Sequence, residues 1–171
     1  MADVPIEVRL RDARADDRAF VSSIESEPSG NEMSAVLPRG DEAFAEHFDR
    51  VLVSPTVLYR VIEVLDEGSR WIRVGFVNSF ETQVVIEGVS SLRRCIGYRL
   101  GEAYWGRGIA TGAVSLLLGE DPSRPLFAVV AATNAASRRV LAKCGFQAIS
   151  RRQSQASGRY LACEEIVYRL D

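Results

Sequence analysis

Apolar and polar positions change their period several times along the chain. Residues 6–13 (IEVRLRDA) alternate, which predicts a half-buried strand. From residue 14 the spacing lengthens. Phe20, Val21 and Ile24 fall on one helical stripe, and Asp16 and Asp17 occupy the first turn, where the helix dipole favours acidic side chains. Residues 27–40 (EPSGNEMSAVLPRG) are rich in turn formers and predict a loop. A second helix is predicted over 41–53, with Phe44, Phe48, Val51 and Leu52 on one stripe. The period then drops to two. Residues 56–66 and 70–80 are rich in β-branched and aromatic residues and are joined by DEGS, which has the chemistry of a hairpin turn. Residues 82–88 (TQVVIEG) predict a weaker strand and 93–101 (RRCIGYRLG) another. A helix follows over about 107–119, then a short apolar run at 126–133 of the kind found in buried parallel strands. Residues 134–145 predict a helix with an Asn cap and a Gly stop, and two strands around SQASG close the chain. The order predicts an α/β fold: a mixed sheet, mostly antiparallel, with one parallel crossover in the middle. No internal repeat or low-complexity linker interrupts it, and 171 residues suit one domain over 1–171.

Composition narrows the classes of function. Apolar residues make up 47% and charged residues 26%, an ordinary globular mix, and the net charge of −2 gives no electrostatic footprint for nucleic acid. Cys95, Cys144 and Cys163 are too few and too scattered for a disulfide framework, and no CxxC pair suggests zinc. With His47 as the single histidine, no multi-histidine metal site is expected. The start, MADVPIEVRLRD, is acidic and alternating rather than basic before an apolar run, so no signal peptide is expected. The apolar runs fall short of the roughly 20 residues that span a bilayer. A cytoplasmic protein with no membrane partner is the expectation.

The stretch EAYWGRGIATGAVSLLL (102–118) carries the chemistry. A helix begins there with little side chain and much bare backbone. The first N–H groups of a helix have no internal partner and sit at the positive end of its dipole. Gly106 and Gly108 let a ligand approach those groups closely, and Arg107 offers a countercharge, so the segment reads as a cradle for a phosphate-like anion. A Walker loop is excluded because no GK[ST] follows. A dinucleotide fingerprint is excluded because Thr111 stands at its third glycine position, with Gly112 one residue late.

Gly106, Arg107, Gly108, Ile109 and Ala110 resemble the acyl-CoA pyrophosphate loop of the GNAT acetyltransferase superfamily, [QR]xxGx[GA], with Trp105 where Gln or Arg is usual. The wider run IGYRLGEAYWGRGIATGA is similar to the branch containing bacterial ribosomal-protein N-terminal acetyltransferases. NAASRRVLAKCGF resembles that family's NxxSxxxxxKxGF helix. The resemblance covers essentially the whole chain and is most specific over about 72–146. It implies a mostly antiparallel sheet with a splayed parallel pair flanked by helices. It also implies acetyl-CoA as cosubstrate, with the pyrophosphate on the amides of Trp105 to Thr111 and the pantetheine arm beside Tyr98, Arg99 and Leu100. Asn134 is the implied pantetheine contact and Ser137 the general acid for the departing thiolate; Arg138 or Arg139 is expected near the 3′-phosphate, with Arg139 the cofactor-binding candidate. Asn134 is also a good helix cap in its own right.

The base is the point of departure from the pattern. Cys95 stands where that branch often has a Glu, and a thiol with an ordinary pKa of about 8.5 does not replace a carboxylate. Glu81, Glu87 and Glu102 are near in sequence, and Glu102, at the strand's end, is the expected candidate. The activity implied is transfer of an acetyl group to a primary amine by direct attack in a ternary complex, the amine being a protein N-terminus or a small molecule. A non-catalytic CoA-binding module, acting as sensor or partner-binding subunit, is the alternative, and the absent Glu is its support. The first helices, the loop over 26–40 and the closing hairpin are expected to build the acceptor side. A sheet edge or that hairpin would offer a homodimer contact, and the sequence does not decide oligomeric state.

Overall fold

The structure is a computed structural model that describes residues 6–171; the expectation about a leader at the start of the chain lies partly outside the described residues. Seven strands form one sheet in the order β1-β2-β3-β4-β5-β7-β6. They are β1 Val8–Asp12, β2 Leu58–Leu65, β3 Trp71–Ile86, β4 Val89–Leu100, β5 Leu126–Ala131, β6 Gln147–Gln153 and β7 Glu164–Leu170. Every neighbouring pair is antiparallel except β4 and β5, which run parallel and are joined by a helix, α4 (Ile109–Glu120). This is the mixed α/β sheet expected from the pattern. The other helices are α1 (Arg18–Glu25), α2 (Pro28–Ser34), α3 (Asp41–Leu52) and α5 (Ala135–Lys143). No described helix is long and apolar enough to cross a membrane.

Alternation along the strands divides the core between two faces. Val77, Ile96 and Leu100 pack with Ile109, Val114 and Leu117 of α4 and Leu141 of α5. On the other face Tyr59 and Phe76 pack with Val21 and Ile24 of α1 and Phe44 and Phe48 of α3. Phe48, Tyr59 and Phe76 form a chain of ring contacts at 5.8 and 5.4 Å between centroids. A third cluster, Val84, Cys95, Phe127 and Val167, lies where β4 meets β5.

Three elements differ from the sequence expectation. Residues 28–34 are helical rather than a loop: Pro28 takes the first helical position, where its missing N–H costs nothing, and Ala35 ends the helix in the left-handed region at φ 52°. The TQVVIEG segment is the second half of β3, so that one hairpin runs from Trp71 to Leu100. Its turn is Glu87–Gly88, with φ of 50° and 80°, the paired positive values of a type I′ turn. The last strand starts at Glu164 rather than at 159. Residues 159–161 instead reach across to the chain after α2, where Leu37 N donates to Arg159 O (2.7 Å) and Leu161 N to Ala35 O (2.8 Å).

Two buried carboxylates fix the helices to the sheet. Asp17 lies just before α1 and is fully buried, receiving Arg11 Nη1 (2.7 Å), Arg11 Nη2 (2.8 Å), Arg73 Nη1 (3.0 Å) and the Arg14 backbone N–H (2.9 Å). At the far end of α4, Asp121 receives Ser79 Oγ (2.6 Å) and Arg94 Nε (2.9 Å). Burial by itself would raise the Asp17 carboxyl, but these donors outweigh it and hold the group at about 2. A carboxyl held below its ordinary 3.8 contributes stability that is complete above that value and is lost as pH falls through 2. We expect Asp17→Asn to lower stability at pH 7 by about 3 kcal/mol, because it takes from Arg73 its salt bridge, leaves Arg11 with Glu63 alone and buries an amide among their donors. Urea unfolding from pH 7 to 2 measures this, and the gap between wild type and variant should close below pH 4.

Candidate active site

β4 and β5 share only one bridged pair, Cys95 with Phe127. Beyond it the strands part, and a cleft of about 440 Å³ opens between the end of β4 and residues Ala128–Ala131 of β5, with the N-termini of α4 and α5 at its rim. Leu100 and Trp105 close the top of β4, where the Trp105 indole Nε1 donates to Leu100 O at 3.0 Å. The indole thus holds the loop to the strand as well as offering its backbone.

The loop before α4 is shaped by its glycines. Gly106 and Gly108 have φ of 72° and 77°, a region costly for residues with a Cβ, and no atom lies within 4 Å of where either Cβ would stand. Gly108 is the helix cap and supplies no side chain. The first helical bond is the one Gly112 N donates to Gly108 O (3.1 Å), and the N–H groups of Ile109, Ala110 and Thr111 find no acceptor in the described chain. Open space above uncapped amides is the geometry an anion needs. Arg107, over the Tyr104 ring at 5.8 Å, and Arg139 line the cleft, as does Lys143, which sequence reasoning did not single out. Arg138 is committed elsewhere, to Ala132 O (3.1 Å) and the Tyr168 hydroxyl (3.4 Å).

Asn134 caps α5, its Oδ1 accepting from Ser137 N at 3.0 Å, and both residues line the cleft. The structure adds a partner the sequence could not show. Tyr98 on β4 places its hydroxyl 2.7 Å from Ser137 Oγ, and burial pushes that phenol up to about 12, so it is a protonated hydrogen-bonding group at neutral pH. Tyr98, Arg99 and Leu100 all line the cleft, as do Trp105 through Thr111.

Glu102 is not brought into the cleft lining. Its Oε2 accepts from Ser29 Oγ (2.8 Å) and its backbone N–H donates to Glu27 Oε2 (3.0 Å), which ties the end of β4 to α2. Glu87 is in the β3–β4 turn, and neither it nor Glu81 lines the cleft. Cys95 is buried among Val84, Phe127 and Val167, and burial pushes its thiol up to about 11. The cleft lining therefore contains no Asp or Glu. One polar atom beside it lacks a partner: Asn78 Oδ1 is buried over Gly97, 2.8 Å from where a Cβ there would stand. Gly30, Met33 and Ser34 of α2 complete the lining, a contribution hidden by the expectation of a loop.

The profile of the acetyltransferase (GNAT) domain family matches residues 7–147, most of the chain. The protein belongs to this family. Several solved structures share the fold. A spermidine N-acetyltransferase from Vibrio cholerae in complex with CoA and spermine superposes with a TM-score of 0.72 at 15% identity, covering 94% of each chain. A GNAT superfamily phosphinothricin acetyltransferase from Sinorhizobium meliloti in complex with AcCoA gives 0.71 at 18% identity, over 95% of this chain and 87% of that one. RimJ of Mycobacterium smegmatis in complex with CoA-disulfide gives 0.70 at 20%, over 98% and 85%. No curated protein sequence matches. Relatives with different named acceptors are thus alike in fold, so likeness of fold does not choose an acceptor for this member of the family.

Cys95 offers a direct check on the apex of the cleft. A thiol at about 11 is roughly one part in a thousand thiolate at pH 8. Iodoacetamide at pH 8 should leave Cys95 unmodified in the folded protein and alkylate it in urea, as read by peptide mass spectrometry.

Proposed function

We propose that this protein is an acetyl-CoA-dependent N-acetyltransferase acting on a primary amine by direct attack in a ternary complex, with residues 1–171 as one catalytic domain. The observation that carries the reading is the row of uncapped amides at Ile109–Thr111, beneath open space at Gly106 and Gly108, leading into the slot between β4 and β5. Acetyl-CoA supplies an activated acetyl thioester. Ile109 to Thr111 hold its pyrophosphate, with Arg107 and Arg139 as countercharges, and Asn134 and the backbone of Tyr98 to Leu100 hold the pantetheine arm. The IGYRL and YWGRG segments support kinship with the ribosomal-protein N-terminal acetyltransferases in this half of the site.

In the reaction the amine nitrogen bonds to the acetyl carbon and the carbon–sulfur bond breaks. The amine gives up one proton to solvent and the thiolate takes one up. Ser137 Oγ–H donates toward the departing sulfur, and the Tyr98 hydroxyl donates to Ser137 Oγ, replacing the hydrogen bond that Ser137 gives away. With no carboxylate in the cleft lining, the amine reacts in its neutral form. The absent base is the one argument for a non-catalytic module, and a neutral amine removes its force; no observation favours that reading.

Calorimetric titration with acetyl-CoA should give binding to wild type and none to Gly108→Trp, which fills the open space and strains a positive-φ position. Release of free thiol should accelerate with at least one member of an amine panel containing peptides, amino acids and polyamines. Binding without acceleration would leave the non-catalytic module standing. Ser137→Ala should lower kcat about 10²-fold with little change in the KM for acetyl-CoA, Tyr98→Phe less, since it acts through Ser137. kcat/KM should climb with pH up to the pKa of the amine itself, with no earlier plateau from a protein carboxylate.

A further inference from the structure

The acceptor end of the cleft contains a half-buried cation without a salt bridge. Arg99 projects from β4 on the face covered by α1, α2 and α3 and lines the cleft beside Gly30, Met33 and Ser34. Its Nη1 donates to Asn31 Oδ1 (2.8 Å) and to the backbone oxygen of Glu25 (3.2 Å), both neutral acceptors. Among the described residues no carboxylate pairs with Arg99, and its Nε and Nη2 have no hydrogen-bond partner.

The nearby carboxylates bond to other groups. Glu25, buried beneath the cluster, gives its Oε2 to Arg39 Nη1 (2.6 Å) and Arg159 Nη1 (3.4 Å). Glu27 accepts the Glu102 backbone N–H (3.0 Å). Arg39 and Arg159 thus share Glu25, and Arg99, the guanidinium that opens into the cleft, is the one of the three without a salt bridge. Gly30 keeps that side open: a Cβ there would stand 3.6 to 3.8 Å from Arg99 Cδ, Nε and Cζ. A half-buried guanidinium with a free Nε and Nη2 presents the two-pronged edge that binds a carboxylate.

Resting on the acetyltransferase reading above, we propose that the acceptor is a small amine that also carries a carboxylate, and that Arg99 binds that carboxylate and selects it. Arg99 follows Gly97 by two residues, about 7 Å along β4, so the guanidinium stands on the same face of the strand as the unpartnered Asn78 Oδ1. A polycationic acceptor would meet an unpaired positive charge instead.

The test uses matched amines: L-methionine, L-glutamate and β-alanine, each against its carboxamide, with spermidine and a hexapeptide as further acceptors, following thiol release from acetyl-CoA at pH 8. The carboxamides of the two α-amino acids are the more weakly basic amines and hold more of the neutral nucleophile, so a preference for the free acid has to come from the protein. At least one acid should exceed its amide tenfold or more in kcat/KM. Arg99→Gln should abolish that ratio and Arg99→Lys restore part of it. A second measurement does not depend on turnover: calorimetry on the CoA-loaded protein, with the N-acetyl derivatives of the same acids and amides. The acids should bind at least tenfold more tightly to wild type and lose that margin in Arg99→Gln. Preference for spermidine or the hexapeptide, or acid-to-amide ratios near one in both assays, overturns the proposal and leaves the acetyltransferase standing. Tight binding of the acids without turnover of any amine overturns the acetyltransferase and leaves the carboxylate site standing.

Discussion

The site depends on a single break in strand pairing. β4 and β5 are parallel neighbours that touch at one bridged pair, Cys95 and Phe127, and separate beyond it. Backbone groups along such a gap need partners, and the chain supplies few of them. Leu100 O is taken by the Trp105 indole, which also fixes where the loop before α4 departs. The apex of the gap is held by Cys95, Val84, Phe127 and Val167, packed together and buried. That packing explains why position 95 holds a thiol in this chain. A carboxylate there would lie in an apolar cluster with no donor to receive it, and the hinge of the gap would carry a buried charge.

Rigid attachment of the helices makes the gap usable. Asp121, at one end of α4, is anchored to Ser79 and Arg94 on the sheet, so the opposite end, with its uncapped amides, is aimed at the mouth of the gap. Asp17 does the same for α1 through Arg11 and Arg73. Each anchor joins residues far apart in sequence and buries its carboxylate with its hydrogen bonds satisfied, the condition under which a buried ion pair orders a structure rather than weakening it.

The glycine loop before α4 and the cap of α5 were legible in the sequence because they are local backbone features. A positive φ at Gly106 and Gly108 and a cap at Asn134 are local requirements, and each is met by a residue type that announces itself. The mixed sheet was legible for the same reason, since period and turn chemistry are local. The errors fell where a local signal had a distant cause. Pro28 and Gly30 look like turn residues, yet the first opens α2 and the second leaves room beside Arg99. TQVVIEG looks like a separate strand because nothing in it shows that β3 continues unbroken to the Glu87–Gly88 turn.

The acceptor half was not legible, because its chemistry arises from side chains brought together by folding. Ser137 was visible as a candidate, but the Tyr98 hydroxyl that supports it comes from a strand 39 residues earlier. Glu102 looked well placed by its position in sequence, and the fold spends it on Ser29. Arg99 looked like one more backbone contact on β4. Its meaning appears only when Glu25 is seen to be consumed by Arg39, from the chain before α3, and by Arg159, from the closing hairpin. The same three-way contact fastens that hairpin to the chain after α2, so the attachment of the hairpin uses the carboxylate that Arg99 lacks. Structure and selectivity thus draw on one pool of charge. Using Glu25 as a clamp leaves Arg99 unpaired, and an unpaired guanidinium lining a cleft favours an anion over a cation by ordinary Coulomb attraction, more strongly as water is excluded.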